Sequence, residues 1–110
     1  MSVTRTFTVT VANPGAGNRY YIDGILQDTV NLAEGGTYKF DVSDSSVSGH
    51  PFKFSTTSNG THNGGSEYTT GVTTSGTAGQ ADAYVQIVVA DSAPQLYYYC
   101  QYHSGMGGSA

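Results

Sequence analysis

Cys100, His103 and Met106 follow one another at intervals of three in "YYYCQYHSGMGG", residues 97–108, and Cys100 is the only cysteine in the chain. A thiolate, an imidazole and a thioether are soft sulfur and nitrogen donors. His50, in "SGHPFKFS", offers a second imidazole. Such a set suits copper, with two imidazoles and the thiolate in one plane and the thioether at longer range. Hard cations prefer cages of oxygen and have little use for it. Zinc accepts Cys and His but gains little from a thioether, and a structural zinc site with four such ligands would need His50, His62, Cys100 and His103 together. Each residue also has a plainer use. A lone cysteine is most often a buried core thiol, a methionine most often packing, and a strand-end histidine can simply be capped. The combined spacing favours the metal.

The elements that must bring these residues together read as strands. Apolar residues alternate with polar ones in "VTRTFTVTV", where Phe7, Val9 and Val11 share a parity with Val3 and Arg5 and the threonines take the other. "RYYID", "LQDTVNL", "TYKFDV", "HPFKFS", "AYVQIVVA" and "QLYYYC" continue the pattern, separated by turn-forming Gly, Pro, Asn and Asp. Residues 56–82 are rich in Gly, Thr, Ser and Asn, with one short strand expected around "SEYTT". No helix-period segment of useful length and no internal repeat interrupt this. The expectation is an all-β protein, an antiparallel two-sheet sandwich of about seven or eight strands forming a single domain over residues 1–110. Parity then orients the donors. His50 shares parity with Phe52 and Phe54, and Cys100 with Leu96 and Tyr98, so both point inward if Tyr97 and Tyr99 face out.

Composition narrows the partners. Only four Lys and Arg stand against eight Asp and Glu, a net charge of −4, so there is no basic footprint for nucleic acid and no polybasic surface for anionic lipid. Fifteen glycines, nine tyrosines and no tryptophan fit strands joined by tight turns. One cysteine excludes an internal disulfide and any binuclear copper site bridged by two thiolates. The stretch "MSVTRTFTVTVANPG" alternates like a strand and is not apolar in the manner of a signal peptide. No run approaches the roughly 18 consecutive apolar residues of a membrane span.

"YYYCQYHSGMGG" together with "SGHPFKFS" resembles the cupredoxins, the type 1 blue copper proteins of the plastocyanin, amicyanin and pseudoazurin kind. The short C-x2-H-x2-M loop is most similar to the amicyanin pattern, and "NLAEGGTYKFDVSDSSVSGHPF" is similar to the family's run into its first histidine ligand. The likeness extends from about Val3 to Met106 and is weakest in the centre. It implies a Greek-key β-sandwich holding one copper ion, Cu(I) or Cu(II), on His50, Cys100, His103 and Met106. It further implies a monomeric one-electron carrier between redox protein partners, with an extracytoplasmic location. His103 would be the port for the electron, and Gly49, Pro51, Gly105 and Gly107 a nearly uncharged docking patch.

The sequence departs from the plastocyanin pattern at Pro51, which follows His50 and has no N–H to donate to the cysteine sulfur. Tyr102 keeps its N–H, so the donor to the sulfur is expected there. His62, in "NGTHNGG", is expected in a solvated loop, and Tyr99 and Tyr102 flank the metal loop. Copper enzymes of this fold need further histidines for their other centres, whereas this chain has three in all, so it is not expected to be an enzyme. Phosphate loops and nucleophile motifs are likewise missing from the sequence. The competing expectation is a copper-holding or metal-free β-sandwich module, with a structural or binding role inside a larger protein.

Overall fold

Alternating side chains do make strands, and a computed structural model describes them over residues 3–110. In chain order they are β1 (Arg5–Ala12), β2 (Arg19–Ile22), β3 (Ile25–Leu26), β4 (Thr37–Asp41), β5 (Phe52–Ser55), β6 (Glu67–Tyr68), β7 (Val72–Ser75), β8 (Tyr84–Val88), β9 (Tyr97–Cys100) and β10 (Gly108–Ser109). Two 3-10 turns, Ser45–Val47 and Gly60–Asn63, are the helical elements. One sheet has the order β3-β2-β1-β4-β8-β7 and the other β10-β9-β5-β6. The chain is thus the expected all-β sandwich. It differs in two respects: the described residues form ten short strands rather than seven or eight, and β1 pairs with β4 in parallel.

The core lies between the sheets and is aromatic. Phe7, Phe40, Tyr20, Val85 and Ile87 project from the larger sheet, and Phe52, Phe54 and Tyr98 from the smaller. Rings meet across the gap, with Phe40 stacked on Phe52 at 5.0 Å and edge-on to Phe54 at 5.4 Å. Tyr20 packs edge-on to Phe52 at 5.2 Å. Stacked and edge-on pairs add to the area term, so these rings pin the two sheets in one relative position.

Some expected strands are absent or displaced. "LQDTVNL" forms no strand beyond β3, although Val30 is buried and its N–H bonds the Ser109 carbonyl at 3.0 Å. There the apolar alternation reflects a loop crossing the end of the core. β7 and β10 lie in Thr- and Gly-rich stretches whose side chains carry little pattern, and their pairing comes from the neighbouring strands β8 and β9.

Candidate metal centre

Three elements converge to build the site. The β5–β9 register sets Phe52 opposite Cys100, so His50, two residues before Phe52, comes level with the end of β9. His50 is held on both sides of its main chain. Its N–H bonds the Val47 carbonyl at 2.9 Å, closing the turn Ser45–Val47 that the Asp44 side chain caps. Its carbonyl accepts the Tyr20 hydroxyl at 2.7 Å. Cys100 ends β9 fully buried, and residues 101–107 then form the hairpin loop to β10, which pairs back on β9 through Gly108↔Tyr98 and Ser109↔Tyr97. That return is what brings the loop's later residues back over Cys100.

Three of the four expected donors, His50, Cys100 and His103, meet. His50 Nδ1 and His103 Nδ1 are 3.2 Å apart, and the Cys100 sulfur lies 3.8 Å from the first and 3.5 Å from the second. His50 and Cys100 are buried and His103 is exposed. Met106 is 1% exposed and belongs to the same core cluster as Cys100. A triangle with these three sides has its centre about 2.0 Å from every corner, which is the bonding distance of a transition metal to nitrogen and close to that for sulfur. The residues present therefore fit a metal ion.

Electrostatics favour the ligand form of His50. Burial first, and then the neighbouring His103, hold the pKa of His50 below the ordinary histidine value of 6.5. A neutral imidazole keeps its lone pair free for a metal. Burial above all, and then the adjacent Cys100, push the Tyr20 hydroxyl well above the usual phenol range, so it stays a donor.

Several residues near the centre carried no signal beforehand. Tyr20, Gln27 and Asn59 approach it from loops and strands distant in sequence. Of these, only the turn-forming "NG" at Asn59 was readable. His62 is exposed, but it is not merely a solvated loop residue: its Nε2 donates to the Cys100 carbonyl at 2.7 Å. Tyr99 faces the opposite side from Tyr98, as parity requires, yet it is 1% exposed rather than outward in solvent. The turn Gly60–Asn63 covers it, with the His62 ring edge-on to its own. Tyr102 is 65% exposed, and no backbone N–H among the described residues, its own included, hydrogen-bonds the Cys100 sulfur. The first N–H after the cysteine, that of Gln101, goes to the Pro51 carbonyl at 3.1 Å, and the loop then runs out toward solvent.

Comparison with protein-family models, with curated proteins and with solved structures gave no match.

Proposed function

We propose that this chain is a mononuclear type 1 copper protein that carries single electrons between redox protein partners, and that it is not an enzyme. The ligands would be His50, Cys100 and His103 around the ion, with the Met106 thioether as a fourth donor. One observation carries the reading: three soft donor atoms stand at 3.2, 3.5 and 3.8 Å from one another, with Met106 buried in the hydrophobic core that also holds Cys100. Copper bound there would supply a one-electron couple between its two common oxidation states.

The chain's own part is to hold the donors still. Both main-chain polar groups of His50 are tied, and Cys100 is locked in a strand pair. Donors fixed in this way need move little when the charge at their centre changes, which suits fast electron exchange. His103 is the exposed ligand and the natural route in and out. Beside it, Pro51, Phe52 and Tyr102 help line a groove of about 340 Å³. Gly49 and Gly105 are exposed close by, Lys53 in the groove is paired with Glu67 at 3.4 Å, and the Arg19 guanidinium lies beside Gly105. The face near His103 is thus largely uncharged with one cationic edge, which supports weak, transient docking.

Titrating the purified chain with Cu(II) tests this reading. The expected result is intense thiolate-to-copper colour at one ion per chain, bleached by a mild reductant and restored by an oxidant. Cys100→Ala should remain colourless. A colourless wild-type chain, or colour that survives the loss of Cys100, would instead favour a binding or structural module.

A further inference from the structure

Left-handed backbone is uncommon for residues with a side chain, and where it persists the surroundings hold it there. Among the described residues, Gln27 (φ 46) and Asn59 (φ 62) both adopt it. Gln27 follows β3 and Asn59 precedes the turn Gly60–Asn63, yet their side chains meet on one short piece of the metal loop. Gln27 Nε2 donates to the Gly105 carbonyl at 2.9 Å and to the Gly107 carbonyl at 2.7 Å. Asn59 Oδ1 accepts the Gly105 N–H at 2.8 Å. Met106 stands between these anchored glycines.

The clamp is itself anchored. The Gln27 N–H bonds the Tyr20 carbonyl at 2.9 Å, and the Tyr20 N–H bonds the Met106 carbonyl at 2.9 Å. Gly107 lies so tightly on β9 that an added Cβ would stand 1.7 Å from the Tyr98 carbonyl oxygen. A tight turn at either position would be served as well by glycine, and glutamine is an unusual left-handed residue. What glycine could not supply is the side-chain amide.

We propose that Gln27 and Asn59 are positioning residues of the metal centre: they hold the main chain on both sides of Met106 and so set how closely its thioether approaches the His50–Cys100–His103 triangle. This rests on the copper reading above. Neither side chain is a ligand. Their influence is on the geometry of Met106, the donor that lies between the two glycines they hold.

The test compares Cu(II)-loaded wild type with Gln27→Gly, Asn59→Gly, Asn59→Asp and Met106→Ala by optical and electron paramagnetic resonance spectroscopy. Glycine suits the left-handed backbone, so these two variants remove the side-chain bonds without straining the turns. Both should stay coloured, with spectra moved from the wild type toward that of Met106→Ala. Asn59→Asp keeps the acceptor and should match the wild type. In the metal-free chain, the Gly105 amide of Asn59→Gly should exchange its hydrogen about tenfold faster or more. Should Gln27→Gly fail to fold, Gln27→Glu carries the same expectation, having the same size and no N–H to donate. Glycine variants with wild-type spectra and an unchanged Gly105 amide would overturn the assignment alone. A wild-type chain that takes up no copper would overturn the reading of the site, and this assignment with it.

Discussion

At the scale of single residues, proton balance around His50 makes a measurable demand on the metal-free fold. Its pKa in the folded chain lies below 6.5, from burial and from His103. The unfolded chain therefore binds a proton that the folded chain resists, and stability present above about pH 6.5 is lost as pH falls toward the folded value. The metal-free protein should show a urea midpoint that drops between pH 7 and pH 5, and His50→Gln should flatten that dependence. Asp44 adds to acid sensitivity only lower, because its bonds to Ser46 hold its pKa below the ordinary 3.8. Tyr20 makes a separate demand. Its hydroxyl satisfies the His50 carbonyl inside the core, so Tyr20→Phe leaves that carbonyl unpaired at a cost of about 1–3 kcal/mol. In a chain of this size that lowers the thermal midpoint by roughly 4 °C for each kcal/mol.

Among the elements, the turn Gly60–Asn63 does more than connect β5 to β6. It covers Tyr99, places Asn59 on Gly105 and sends His62 to the Cys100 carbonyl. Gly60 is the point of closest approach, with φ +54 and a would-be Cβ only 2.4 Å from the Tyr99 ring. Gly60→Ala should therefore push the turn off the ring and cost about 1–3 kcal/mol, read as a lower denaturant midpoint with unchanged slope. Strands were legible in proportion to how clearly one face was apolar. "TYKFDV", "HPFKFS" and "AYVQIVVA" each bury the apolar parity, with Thr37 and Ser55 also buried at strand ends, and each forms a strand where the alternation indicated. Val72–Ser75 and Gly108–Ser109 could not be read in that way, since a strand of threonines or glycine is specified by the partner it pairs with. Tyr99 failed for a related reason. Parity gave its side correctly, but only the folded turn above it decided whether that side met water.

For the molecule as a whole, the candidate metal site is an end of the core rather than an addition to it. Phe40, on the larger sheet, touches both Phe52 and Phe54 of the smaller, so Phe40→Ala should cost about 3–5 kcal/mol and loosen the larger sheet from the one whose β5 and β9 lead to the candidate ligands. Conversely, an ion held by both His50 and the β9–β10 loop should clamp the sandwich from one end. Free Cu(II) at a thousand times its dissociation constant should stabilise the fold by about 4 kcal/mol, a rise in thermal midpoint that a chelator reverses and Cys100→Ala lacks. The sequence by itself determined the all-β class, the inward parity of His50 and Cys100, and the donor types of the loop, because alternation and ligand chemistry are local properties. Only the tertiary structure decided that the His50, Cys100 and His103 donor atoms stand within 4 Å of one another and that β1 joins β4 in parallel. It also decided that Gln27, Asn59 and His62 bond the loop. The physical reason is distance along the chain. Pairing register and the return of remote loops are set by the packing of whole sheets, and no short window of residues encodes them.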